Sequence, residues 1–324
     1  MSGMRLSTFT ILDHYPAGGR SVGERIRGGI ELCELADELG YEVCWVGEHH
    51  FSDFGVMPNP AVWLAAIAQR TRRVRLGPAV AVLPFRHPLQ VVEDYMLVDQ
   101  LSGGRLNLAV GSGAVPLEFT GFGIDIAEKR ERFDRALDVV RAALRDGSCN
   151  VPPVHADGPP LYVATNRAEA ARHVGARSEG LLTLVSPDAD GPAIIRERLD
   201  AHQKGLREAG HKPNENDHAV AIMAHVAESD EAARRNARPA LIRFLQSHGR
   251  VSEPDAGRVF DRACEHRSVL CGSPETFAEG LRRLGDLGAR HVALWMDFGD
   301  LQRKSVECSM RLAAEARQRP AFAC

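Results

Sequence analysis

Short apolar runs of strand length alternate with helix-length amphipathic segments along most of the chain, and this alternation constrains the fold more than any other feature. Eight runs have strand character: residues 5–12, 41–47, 74–83, 106–110, 161–164, 180–185, 219–226 and 291–295. Helical periodicity fills the gaps, clearest at 24–39, 61–70, 88–101 and 131–144. In the first of these Ile26, Ile30, Cys33 and Ala36 share one stripe, and Gly40 stands where a left-handed C-terminal residue belongs. The run 41–47 (YEVCWVG) is too short for a helix and apolar on both faces, as a buried parallel strand should be. Spread over eight units, 324 residues give about 40 per unit, the size of a βα repeat with short insertions. The expected class is therefore α/β, a single (β/α)8 TIM barrel with short insertions over residues 1–324. Length alone would favour two domains. The stretches 146–160 and 247–269 read as irregular, and neither is long or low enough in complexity to be an interdomain linker.

The main rival, a doubly wound dinucleotide fold, wants G-x-G-x-x-G after its first strand. Ala17-Gly18-Gly19-Arg20 does not supply it, and Gly111-Ser112-Gly113 has Pro116 where the third glycine should stand. Lys and Arg number 40 against 43 Asp and Glu, a net charge of -3, which gives no basis for binding nucleic acid or a membrane surface. No apolar run is long enough to span a bilayer, and the N-terminus lacks the apolar core of a signal peptide. The seven cysteines are scattered without a CxxC pair and read as reduced thiols, so a cytoplasmic location is expected.

In a parallel barrel the chemistry sits at the C-terminal ends of the strands. The second run ends in Glu48-His49-His50-Phe51. Adjacent histidines in an extended segment point to opposite faces, and no HxH or HExxH pattern accompanies them, so no metal is expected. Imidazole suits proton transfer near neutrality, and a hydrogen-bonded structural role for at least one of the pair is the alternative. Small residues in the third run, Gly77-Pro78-Ala79-Val80, would admit either a flat ligand or close packing. Gly111 and Ser112 close the fourth run with a backbone open to close approach. Arg130 leads into the next helix and reads equally as a solvated cation. Thr165, Asn166 and Arg167 open another helix, as a plain N-cap or as a phosphate cradle.

These motifs resemble the bacterial luciferase-like, flavin-dependent monooxygenases. The matching pieces are WVGEHHFSDFG (45–55), the segment 77–113 with its HPLQ-x-x-ED motif, FGIDIAEKRERF (122–133), LYVATNRAEAARHVG (161–175) and the segment 271–299. The likeness is sharp to about residue 135 and diffuse between 185 and 270. It implies that His49 serves in acid/base steps of the oxygen chemistry and that His50 shares its pocket. It also implies a non-prolyl cis peptide at Ala79-Val80 under the flavin ring, Arg130 at the flavin phosphate, and Thr165 and Asn166 at the phosphate and ribityl chain. Ser112 stands where luciferases carry an arginine, and Gly111 where they carry a cysteine. The phosphate would then depend on Arg130 and Arg167, and metabolite oxygenation is expected in place of the light reaction.

The resemblance thus implies a cytoplasmic homodimer that takes reduced FMN from a separate flavin reductase and uses O2 to oxygenate a small apolar or aromatic molecule. Phe9, Phe54, Phe85 and the 247–269 stretch would wall the pocket. Pairing would run through helices 61–70 and 88–101, where Val62, Ala65, Ala66 and Ala68 spread apolar surface beyond one stripe. Two alternatives share the fold: an oxidoreductase using the deazaflavin F420, and a flavin-binding protein without catalysis.

Overall fold

The computed structural model describes residues 4–147, 149–212, 218–247 and 252–317. Strand β1 (Arg5–Thr10) leads into α1 (Val22–Leu39), β2 (Val43–Val46) into α2 (Pro60–Arg70), and β3 (Arg75–Pro78) and β4 (Ala81–Val82) into α3 (Pro88–Ser102). Next come β5 (Leu108–Gly111), the short α4 (Pro116–Gly121), α5 (Lys129–Asp146), β6 (Leu161–Ala164), α6 (Ala168–Ala176), β7 (Gly180–Leu184) and α7 (Gly191–Glu208). The chain ends with β8 (His218–Val226), α8 (Asp230–Ser247), α9 (Glu253–Glu265), β9 (Val269–Gly272), α10 (Pro274–Asp286), β10 (His291–Trp295) and α11 (Arg303–Arg317).

All strand pairings are parallel, in the order β3-β2-β1-β10-β8-β7-β6-β5-β4. Ten strands, with β3 and β4 as halves of one and β9 outside the ring, leave the eight of a closed barrel. The ring closes because β3 pairs with β2 while β4 pairs with β5. Phe9, Trp45 and Gly77 are register partners on neighbouring strands, and Trp295 partners Phe9 from the other side. Their row faces inward, since Trp45 meets Tyr162 of β6 edge-on across the barrel at 5.5 Å. Gly77 makes room for this: a Cβ there would lie 2.4 Å from the Trp45 ring.

The helix ends follow local chemistry. Ser21 and Glu24 form a reciprocal capping box on α1, and Gly40 closes it at φ 73°. The basic cluster after α2 is spent on neighbours, with Arg70 paired to Glu34 and the Asp37 carboxylate accepting three backbone N–H groups from 72–74.

Two expectations are corrected. The run 74–83 is not continuous, because the cis peptide Ala79-Val80 splits it into β3 and β4. The stretch 247–269 is not irregular: it holds α9 and the first residue of β9, and residues 248–251 lie outside the described ones. Its helical signal is real, since Ala256, Val259, Phe260, Ala263 and Cys264 are buried at helical spacing. Strand β9 pairs with the upper half of β8, from Met223, the last residue that β10 pairs, to Val226. Cys324 and Ser148 also lie outside the described residues. Among the described residues no helix is long and apolar enough to cross a membrane.

Candidate active site

The C-terminal end of β2 delivers Glu48, His49 and His50 to the barrel mouth, and each histidine meets its own carboxylate. The short helix α4, begun by a proline in its first turn, presents Glu118 in that same turn. Glu118 is 1% exposed and accepts from His49 Nδ1 at 2.9 Å and from the His50 backbone N–H at 3.0 Å. Glu48 is also buried. One of its oxygens accepts from His50 Nε2 at 2.9 Å and the other from the Val82 N–H at 3.1 Å. The two carboxylates therefore fix opposite ring nitrogens as proton carriers. His49 keeps Nε2 free of hydrogen bonds to the described residues, on a side chain 17% exposed.

The cis peptide Ala79-Val80 lies between β3 and β4, half-buried, with Glu48 holding the first strand residue but one beyond it. Gly111 lets the Val80 side chain come close, since a Cβ at 111 would stand 2.5 Å from it. Sequence reading by resemblance placed this cis bond at the right pair.

Aromatic rings surround the two histidines on both sides. Phe54 meets His49 edge-on at 4.4 Å, Phe244 of α8 approaches Phe54 at 6.1 Å, and Trp295 meets Phe244 and Phe9 at 5.0 and 5.3 Å. On the other side Phe122 lies 4.8 Å from His50 and stacks on Phe85, which also touches Phe119. Phe9, Phe54 and Phe85 are thus at the mouth as expected. The remaining wall comes from Phe244, one helix earlier than the 247–269 stretch to which it was assigned. The Trp295 indole N–H is buried without a partner among the described residues.

The expected phosphate residues are less gathered. Thr165 accepts from the Arg167 N–H at 3.1 Å, and Arg167 is exposed and paired with Glu169. Asn166 turns its carbonyl oxygen toward Thr183, the Leu184 N–H and Arg198. No side chain caps the N-terminus of α6, so its first N–H groups remain available to an anion. Arg130 stands on the first turn of α5, 62% exposed, and among the described residues pairs only with Asp134. Ser112 is half-buried beside Gly111, and Lys129 donates to the Gly113 carbonyl at 3.2 Å.

Sequence reasoning missed Glu118, Arg198 and Phe244. Arg198 is buried on α7, where desolvation pulls its guanidinium down, and it donates to Thr183, Asn166 and the Leu184 carbonyl with no carboxylate within 4 Å among the described residues. Nothing in the sequence pairs Glu118 with His49, 69 residues away. Across the mouth Arg25 braces Asp13 at 3.1 Å and Asp297 at 2.8 Å, and burial raises Asp13 to about 6 against the pull of Arg25. Among the described residues no three His, Cys, Asp or Glu side chains gather to hold a metal.

This arrangement can hold a flat apolar ligand, exclude water from it and exchange one proton through an oriented imidazole. A family model described as luciferase-like monooxygenase matches residues 4–291. The 4-hydroxyprotoasukamycin monooxygenase of Streptomyces nodosus subsp. asukaensis is 29% identical over 327 residues, covering 91% of this chain and 88% of its own. Monooxygenase RslO1 from Streptomyces bottropensis superposes with a TM-score of 0.89 at 28% identity, over 97% of this chain and 98% of its own. The oxygenating constituent of 3,6-diketocamphane monooxygenase from Pseudomonas putida, a type II Baeyer-Villiger monooxygenase in complex with FMN, shares the fold at a TM-score of 0.81 and 19% identity, over 97% and 98% of the two chains.

Proposed function

The chain belongs to the luciferase-like monooxygenase family, and from that premise we propose that it is the oxygenase of a two-component system, using reduced FMN and O2 to oxygenate a small apolar or aromatic molecule. The observation that carries this reading is the His49–Glu118 pair inside an aromatic mouth. When bound, reduced FMN would supply the electrons that activate O2. The ring would rest against the half-buried Ala79 and Val80, which Gly111 backs from beneath. The phosphate would meet the uncapped start of α6 at Thr165, Asn166 and Arg167, with Ser112 at its side.

Arg130 joins that anchor at little cost. Its surface i,i+4 pair with Asp134 is worth only ~0.3–0.5 kcal/mol, which a charge-assisted phosphate contact exceeds. Glu118 holds the proton on His49 Nδ1, so that Nε2 accepts or returns a proton at the reacting centre. His50, turned to Glu48, ties the same segment to Val82 and keeps the wall in place. Phe54, Phe85, Phe122 and Phe244 exclude water and favour an apolar substrate. A homodimer would form through α2 and α3, where Val62, Leu97 and Leu101 stand exposed at 69%, 50% and 49%. Ala66 is exposed beside them, while Ala68 faces the core.

The test is O2 uptake with reduced FMN from a separate reductase across a panel of apolar and aromatic compounds. Uptake matched to product formation is the expected result. Hydride transfer with reduced F420 and no O2 uptake would replace the oxygenase reading, and FMN binding without turnover on any compound would remove catalysis from it. Light scattering that gives a 35.4 kDa particle at micromolar concentration would exclude the dimer.

A further inference from the structure

The segment inserted after β8 carries a second reactive feature, away from the histidine pair. Cys264, in the last turn of α9, and Cys271, in β9, lie close enough for their thiols to interact. Both line one cavity of about 250 Å³ with three arginines, Arg234, Arg267 and Arg283, against two carboxylates, Asp230 and Glu265. Each cysteine is only 6% exposed. Arg234 and Arg283 are shared with Asp261 and Glu279, whereas Arg267 has no carboxylate within 4 Å among the described residues.

We propose that Cys264 and Cys271 form a peroxide-reactive dithiol that closes reversibly to a disulfide. The Cys264 thiolate attacks hydrogen peroxide; an S–O bond forms, the O–O bond breaks and hydroxide leaves. Cys271 sulfur then attacks the sulfenic sulfur, an S–S bond forms, and the second oxygen departs as water. Overall the two thiols give up two electrons and two protons, and peroxide is reduced to two waters. Arg234 and Arg267 beside Cys264 favour its thiolate, whereas the Asp230 carboxylate in the same cavity disfavours a thiolate on Cys271. The roles of attacking and resolving sulfur follow from that asymmetry.

The chain contains its own control. Cys33 of α1 and Cys44 of β2 also interact thiol to thiol, and that interaction and burial push Cys33 up just as they push up Cys271. Proximity is common to both pairs. The arginine-lined cavity belongs to Cys264 and Cys271 alone of the two.

The full-length protein is treated with hydrogen peroxide, alkylated and mapped by peptide mass spectrometry. The 264–271 cross-linked peptide should appear, lighter by two hydrogens, and dithiothreitol should restore both thiols. Cys264 should be consumed about tenfold faster than Cys308, which is exposed on α11 and serves as the internal reference. In Cys271→Ser the reaction should stop at a sulfenic acid on Cys264 that dimedone traps. Loss of Cys308 before Cys264, cross-linking of 33–44 in preference, or oxidised chain without the 264–271 link would each overturn the proposal. None of these readouts depends on the chemistry assigned to the barrel mouth.

Discussion

At the C-terminal rim His49 and His50 are each held by a buried carboxylate, Glu118 and Glu48. At the opposite end His218 and His291 open β8 and β10, and no carboxylate lies within 4 Å of either among the described residues. His218 Nε2 accepts from the Arg290 N–H at 2.8 Å, which only an unprotonated nitrogen can do, and His291 meets the Ser7 hydroxyl. Burial lowers His218 to about 3 and drives His291 well below its ordinary value, with Arg5 adding to both. The same side chain is thus set to two tasks. A carboxylate fixes the tautomer and leaves one nitrogen for exchange, while burial beside cations locks the ring neutral as packing.

The largest expected effect tests the rim. His49→Ala should lower coupled turnover about a hundredfold or more, the scale of losing a general acid or base. FMN affinity should stay within a few fold, and peroxide release should rise as product falls. His50→Ala should be milder, because that ring faces Glu48 and the Val82 N–H. Equal losses in the two variants would erase the distinction drawn between them.

Glu118→Gln sharpens the same point without removing the imidazole. It exchanges a charge-assisted hydrogen bond of ~1.5–3 kcal/mol for a neutral one, so turnover should fall up to about ten- to a hundredfold. The loss should appear in kcat and in the pH profile, with little change in KM. An unchanged pH profile would make Glu118 a packing residue.

Arg130→Ala should weaken FMN binding by about ten- to a hundredfold and riboflavin binding far less, since only FMN carries the phosphate. Titration of both flavins by fluorescence quenching decides this. Equal losses would move the anchor elsewhere on the rim.

The remaining effect concerns stability alone. His218, His225 and His291 have folded pKa values below the unfolded 6.5, so their contribution is full above that pH. It is lost as pH falls, by up to about 1.4 kcal/mol per pH unit for each histidine, down to about 4 where His225 begins to titrate. Asp13 works oppositely: raised to about 6, it contributes fully below about 3.8 and loses that contribution as pH rises through 6. Three histidines outweigh it, so thermal unfolding should occur at lower temperature at pH 5 than at pH 7. His218→Gln should flatten that dependence and leave turnover at pH 7 unchanged.

Much of the fold was legible because βα units announce themselves locally. Capping boxes, glycine C-caps and two-sided apolar strands depend on residues a few positions apart, and α1, α3 and β2 emerged close to where they were expected. The α9–β9 segment did not, although its apolar spacing is helical, because its extra strand pairs with β8 more than forty residues earlier.

The sequence by itself determined the alternation, the count of barrel strands and the placing of Glu48, His49 and His50 at a strand end, since each follows from short-range pattern. It also carried the family likeness that put a cis bond at Ala79-Val80. Only the tertiary structure decided which carboxylate serves which histidine, that Phe244 walls the mouth, and that Cys264 and Cys271 share a cavity with three arginines. Those relations join residues distant in sequence, and they come into being only when the ring of strands closes and brings separate loops to the same rim.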